Sequence, residues 1–153
     1  MTATISRPKI SNWETSNIPI LTGKTALITG ANSGLGYYTA KALAEKNAHV
    51  VIACRSLEKA NQTIKKLKGL NPEGLFTPLE LDLSDLKNIV EVQSKIFDNF
   101  ENLDLLINNA GIMHPPKTLS AQGYEIQFAV NHLAHMLLTL KLLPIIEKKE
   151  ESR

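Results

Sequence analysis

With 153 residues the chain is long enough for one domain with a buried core, and 43% hydrophobic and 21% charged residues are ordinary for a soluble globular protein. The net charge is only +2, with lysines and acids interleaved, so no basic stripe offers itself to nucleic acid. The single cysteine, Cys54, excludes an internal disulfide and fits a reducing, cytoplasmic setting; residues 1–20 hold no secretory apolar run, and the most apolar stretch, Met136 to Ile146, is short and broken by Lys141 and Pro144, so no transmembrane segment is expected.

Residues 1–22 are polar, carry Pro8 and Pro19, and read as an extended arm fastened by Trp13 and the Ile18, Ile20 and Leu21 patch; residues 23–153 read as the domain. A first strand spans about Lys24 to Thr29. A helix starts near Gly34, with Leu35, Tyr38, Ala42 and Leu43 on its inner face, and Asn47 stops it. His49 to Cys54 is a nearly continuous apolar run, the mark of a strand buried on both faces. Ser56 caps a second helix in which Leu57, Ala60, Ile64 and Leu67 recur at helical spacing. Gly69, Asn71, Pro72 and Gly74 form a loop, and a third strand runs from about Leu75 to Leu81. Ser84 caps a third helix that turns Leu86, Ile89, Val90, Ile96, Phe97 and Phe100 inward. Leu103 to Ile107 is a fourth strand, and after a loop of Asn, Gly and Pro a long helix runs from about Gln122 to Leu143, bending at Pro144.

Strand and helix alternate and the strands are buried runs. The fold class is therefore α/β, a doubly wound parallel sheet of the Rossmann type, ending after the fourth strand and a long helix. Strand order 3-2-1-4 puts a ligand crevice at the carboxyl ends of strands one and four.

The glycine-rich turn Thr29-Gly30-Ala31-Asn32-Ser33-Gly34-Leu35-Gly36 joins the first strand to the first helix. Gly30 turns the chain off the strand, Gly34 removes a side chain where backbone must approach phosphates, and Gly36 lets the helix sit close to the sheet. The free amides and dipole of the first helical turn then suit a pyrophosphate. The spacing is G-x-x-x-G-x-G, not the commoner G-x-G-x-x-G. At the end of the second strand an acid would accept the ribose 2′-hydroxyl and select NAD(H). This chain has Cys54-Arg55 instead, and an arginine there pairs with a 2′-phosphate, with Ser33 as a further donor, which favours NADP(H) over NAD(H). A solvated loop arginine is the alternative. In Leu81-Asp82-Leu83, Asp82 lies where an adenine ring would rest; accepting from its amino group and helix N-terminal chemistry beside Ser84 and Asp85 are equally open.

Asn108-Asn109-Ala110-Gly111 follows the fourth strand. Its amides are suited to tying strand ends together, and the small Ala110 and Gly111 leave room for a cofactor, though a plain turn uses the same residues. Asn131 stands in a helix interior among Phe128, Val130 and Leu133, a poor place for asparagine unless its side chain has a fixed hydrogen-bonding job; a solvent-facing residue is the bland alternative. His132 and His135 have no third ligand in view, so they read as core or surface histidines and not as a metal site. Gly23-Lys24-Thr25 imitates the end of a P-loop, but position 18 is Ile and the triplet enters a strand, so it is rejected.

In order and spacing these pieces resemble the short-chain dehydrogenase/reductase family, from about Gly23 to the end of the chain. Ala53-Cys54-Arg55, Gly111-Ile112-Met113 and Asn131-His132-Leu133 resemble its retinol-dehydrogenase-like branch. Light-dependent protochlorophyllide reductases share some of this text but carry Cys-Asn-Ala-Ala where this chain has Asn108 to Gly111, and rank second. The resemblance implies an NADP(H)-dependent oxidoreductase acting on a small-molecule carbonyl or alcohol. Its cofactor would be held by Thr29, Gly30, Asn32, Ser33, Gly34, Leu35, Gly36, Arg55, Asp82, Leu83, Asn109, Ala110 and Gly111. In such enzymes a tyrosine moves the proton, a lysine tunes the tyrosine and holds the ribose, a serine orients the carbonyl, and an asparagine at the position of Asn131 holds the lysine through water.

The family's serine lies on a fifth strand and its Tyr-x-x-x-Lys pair on the helix beyond. This chain stops at Glu150-Glu151-Ser152-Arg153, where that strand should begin. Tyr37-x-x-x-Lys41 falls on the wrong side of the motif order and reads as coincidence, and Tyr124 has no lysine four residues on. The expectation is the cofactor half of a reductase, inactive and marginally soluble alone. The reading from another class is a non-catalytic nucleotide-binding or interaction module. A homodimer through the long helix is implied by resemblance only. His114-Pro115-Pro116 is read as bordering the substrate pocket, and the substrate itself is not fixed.

Overall fold

The computed structural model describes residues 12–149 and 151–153; Pro8 with the rest of residues 1–11 of the expected arm, and Glu150, lie outside the described residues. Strands β1 (Thr25–Thr29), β2 (His49–Cys54), β3 (Leu75–Glu80) and β4 (Leu105–Ile107) form one parallel sheet in the order β3-β2-β1-β4, as the alternation predicts. Between and after them run helices α1 (Gly34–Ala44), α2 (Leu57–Leu70), α3 (Leu86–Asn99) and α4 (Ile126–Ile146).

Side chains alternate along each strand, so the sheet feeds two cores. Ala26, Ile28, Val50, Ile52 and Cys54 pack with Ala40, Leu43 and Ala44 of α1 and Ala60 and Leu67 of α2. Leu27, Val51, Ala53 and Leu79 pack on the other face with Ile89, Val92 and Ile96 of α3 and Ala134, Leu138, Leu142 and Ile145 of α4. Both faces are covered, which is why β2 is apolar at every position from Val50 to Cys54.

Several expected faces are corrected. α1 buries Gly36, Ala40, Leu43 and Ala44, while Leu35 is 81% and Tyr38 67% exposed. The small residues set the contact because they let the helix axis come close to β1 and β2. α2 buries Ala60, Thr63 and Leu67 and leaves Leu57 exposed. α3 buries Ile89, Val92 and Ile96, with Val90 and Phe97 turned outward. Its cap is Asp85, whose carboxylate accepts from Lys87 N, and not Ser84; both the amide and the hydroxyl of Ser84 donate to Asp82 Oδ1. The arm is held by half-buried Ile18 and Leu21, and by Lys46, whose Nζ donates to Ser16 O and whose carbonyl accepts from Leu21 N. Trp13 and Ile20 are exposed.

α4 starts at Ile126 and continues through Pro144 to Ile146. At 21 residues and mean hydropathy 1.4 it is long and apolar enough to cross a membrane by length and composition alone, so the apolar stretch is longer than the Met136 to Ile146 run read from the sequence; Leu138, Leu142 and Ile145 are fully buried in this core. Ala129–Leu133 is wound as a π-helix, with Ala134 N donating to Ala129 O five residues back. The hydrophobic pattern gave no sign of this bulge.

Candidate functional site

Three strand ends and the turns after them enclose a cleft of about 410 Å³. The β1 end contributes Thr29, Gly30 and Asn32; the β2 end Ala53, Cys54 and Arg55; the β3 end Leu81, Asp82, Leu83 and Ser84. Ala110, Gly111 and Ile112 after β4 close one side, and Thr118, Ile126 and Val130 another.

The glycine turn follows from close packing. Gly30 has φ +65°, and a Cβ there would stand 3.0 Å from Ala110 Cα and Cβ. At Gly36 a Cβ would stand 2.5 Å from both Gly30 O and Asn109 Nδ2, so only glycine lets α1 start this close to the loop after β4. Gly34 has φ +54° and open space where its Cβ would be. Ser33 sits at the cap position of α1 but makes no side-chain cap bond, whereas Ser56, Asp85 and Glu125 cap the other three helices. Among the described residues the α1 N-terminus is thus left without a side-chain acceptor, the condition for taking an anionic group there.

Thr29 is fully buried, and its hydroxyl accepts from the amides of Asn109 and Ala110, each at 2.9 Å. Asn109 Nδ2 donates to the Thr29 carbonyl at 2.8 Å, which ties the β4 end to the β1 end. Asn108 Nδ2 donates instead to Thr139 Oγ1 on α4. Arg55 is exposed at the cleft, and among the described residues no carboxylate ion-pairs with it. Asp82 Oδ1 takes both Ser84 bonds, at 2.8 and 2.6 Å. Among the described residues its other oxygen has no hydrogen-bond partner. Cys54 is buried, donates to Ser56 O, and burial pushes its thiol above the ordinary range, so it is an unreactive part of the wall.

Of the residues singled out in the sequence, Thr29, Gly30, Asn32, Arg55, Asp82, Leu83, Ala110 and Gly111 line this cleft. Ser33, Gly34, Leu35 and Gly36 form the turn and first turn of α1, and Asn109 stands behind the wall. Asn131 lies in the π-helical turn and clasps Ile112: its Oδ1 accepts from Ile112 N at 2.9 Å and its Nδ2 donates to Ile112 O at 2.8 Å. Its side chain therefore has a fixed role, though the residue is exposed and borders a second, shallower groove with Asn108, His132 and His135. Tyr37 packs beside the α1 core and Lys41 pairs with Glu45 at 3.5 Å; neither lines the cleft.

The sequence reading missed Thr118 and Val130, which reach the cleft from beyond β4, and Gln122. Gln122 Nε2 donates to Asp85 Oδ1 at 2.6 Å while its Oε1 accepts from Leu86 N, stapling the loop before α4 onto the start of α3.

A parallel sheet in this order, with a glycine turn and an uncapped helix at its crevice, defines a dinucleotide-binding α/β domain. The chain belongs to the short chain dehydrogenase family, whose model matches residues 24–153. Within it the chain falls in the retinol-dehydrogenase-like branch. It is 42% identical over 131 residues to retinol dehydrogenase 13 of Homo sapiens, covering 86% of this chain and 40% of that protein. The crystal structure of an uncharacterized protein from Mycobacterium paratuberculosis superposes with TM-score 0.77 at 39% identity, covering 87% of this chain and 46% of that one. A metagenomic short-chain oxidoreductase in complex with NADP gives TM-score 0.71 at 27% identity, covering 82% and 57%. The chain spans less than half the length of the curated relatives it matches.

Proposed function

We propose that this chain is the cofactor-binding part of a retinol-dehydrogenase-like oxidoreductase for small-molecule carbonyls or alcohols, and that it takes NADP(H) in preference to NAD(H). The observation that carries the reading is the cleft itself. Gly30 and Asn32, in the turn that leads into the uncapped α1 N-terminus, line one side, and Arg55, without a carboxylate partner among the described residues, stands at another. The first-turn amides would hold the pyrophosphate and the Arg55 guanidinium the 2′-phosphate, while the second Asp82 oxygen would accept from the adenine amino group. The nicotinamide, when bound, supplies hydride exchange. The solved relative with bound NADP supports the same class of cofactor. Residues 23–153 form the binding domain in this reading. Among the described residues no Tyr-x-x-x-Lys pair lines the cleft, so the chain alone is expected to bind without turning over.

The test is titration of the purified chain with NADPH and NADH. NADPH should bind the more tightly, and Arg55→Ala should cost about 1.5 kcal/mol, roughly tenfold in Kd, for NADPH alone. Equal affinity for the two, or no effect of Arg55→Ala, would overturn the preference. Binding of neither would leave the chain an interaction module.

A further inference from the structure

The hydroxyl of Thr29 has one hydrogen and two lone pairs, and the amides of Asn109 and Ala110 occupy both lone pairs. Its hydrogen must therefore go to an acceptor. His135 Nε2 stands at 2.9 Å and the Ile107 carbonyl at 3.4 Å, so the imidazole is the better placed. Nε2 then carries the lone pair and the ring hydrogen sits on Nδ1, which faces the Asn131 carbonyl at 3.4 Å. One run of bonds thus leads from the π-helical turn of α4, through the buried ring and the buried hydroxyl, to two amides beside the cleft.

We propose that His135 is a positioning residue of the cofactor cleft, which as a neutral Nδ1–H imidazole orients the Thr29 hydroxyl and through it sets the Asn109–Ala110 segment against the β1–α1 turn. The inference deepens the NADP(H) reading and rests on it. The segment has little room to move, because Asn109 Nδ2 and the Ala110 Cβ are what a side chain at Gly36 or Gly30 would strike. Burial holds the ring below the ordinary histidine range, against the raising effect of its bond to Asn131 O, so the neutral form prevails at neutral pH. A second proton on Nε2 would face an oxygen whose lone pairs are both in use. The groups facing the ring from β1 and from the loop after β4, Thr29 and Asn108, are uncharged; His132 on α4 is the titratable residue in the same groove.

The test uses the 153-residue chain as wild type, His135→Leu and His135→Gln. A glutamine carbonyl can reach the place of Nε2 and accept; leucine cannot. Imidazole 15N shifts should show the Nδ1–H tautomer in the wild type. His135→Leu should speed amide exchange at Asn109 and Ala110 and weaken NADPH binding about tenfold, as expected of a lost buried hydrogen bond, and His135→Gln should restore both. Wild-type affinity should also fall on acidification below about pH 6.5, a limb that His135→Gln lacks. An Nε2–H tautomer, or unchanged exchange at the two amides in His135→Leu, would overturn the proposal even if that variant folds poorly. If the tautomer and the exchange behave as expected but even the wild type binds no NADPH, the dinucleotide reading fails while the positioning of the loop stands. A merely structural histidine would lower stability in both variants without singling out these amides.

Discussion

Two glycines six atoms of backbone apart are asked to do different things, and that difference is measurable. At Gly36 an added Cβ would lie 2.5 Å from the Gly30 carbonyl, which is backbone and cannot swing aside, so α1 itself must move. Gly36→Ala should cost about 1–3 kcal/mol, as overpacking does, and lose NADPH affinity with it. Gly34 meets nothing within 4 Å, but its φ of +54° is unfavourable for any side chain. Gly34→Ala should cost about 1–2 kcal/mol of stability, and weaken NADPH by more than that cost, because the methyl projects into the space left for phosphate. Denaturant melts and NADPH titrations on both variants separate the two; equal losses in both assays at both positions would refute the division of roles. The residues legible in the sequence were those whose chemistry is local to a strand end: the glycines, Arg55, Asp82 and the Asn108–Gly111 segment. His135 and Gln122 were not, because their partners lie 106 and 37 residues away and only the folded topology brings them together.

Elements were legible where a pattern is continuous, and their faces were not. β2 runs from His49 to Cys54 as its apolar text predicts. β4 was read from Leu103 but starts at Leu105, because Asp104 belongs to a different structure. That carboxylate is buried at the amino end of the sheet. Its Oδ2 accepts from Thr25 N at 2.9 Å, and Lys24 and Lys149 approach Oδ1 at 3.2 and 3.3 Å. Burial alone would raise its pKa, but the Thr25 amide and the two ammonium groups outweigh it and hold the carboxyl below the usual range. The unfolded chain therefore takes up this proton first as pH falls, and folding loses stability from about pH 4 downward. Asp104→Ala should cost about 1–3 kcal/mol, chiefly by leaving the Thr25 amide without its acceptor, since both lysines are partly exposed and return to water. Melts from neutral to acid pH on wild type and Asp104→Asn check the sign: the acid loss should be shallower in the variant. His135 contributes a separate loss at higher pH, because its buried neutral ring must charge below the ordinary histidine range.

Across the whole molecule the residue pattern leaves two surfaces open. One is the outer edge of β4, only partly covered by Arg153, whose N donates to Asp104 O and whose carbonyl accepts from Leu106 N, the pair of bonds of a parallel bridge. The other is the outer face of α4. Only one side of this helix goes into the core, through Leu138, Leu142 and Ile145. Phe128, Met136 and Leu140 are each about half exposed, spaced by eight and four residues on one side of the helix, with His132 stacked on Phe128 between them. Exposed apolar side chains lined up in this way invite association. We expect the chain to self-associate along this face, with a sedimentation coefficient that rises with concentration. Met136→Glu combined with Leu140→Glu should return it to a monomer with little change in melting temperature, because neither side chain is in the core. A monomer at every concentration would remove the strip as a self-association surface. Persistent oligomers in the double variant would point instead to the β4 edge, where pairing needs no apolar side chain.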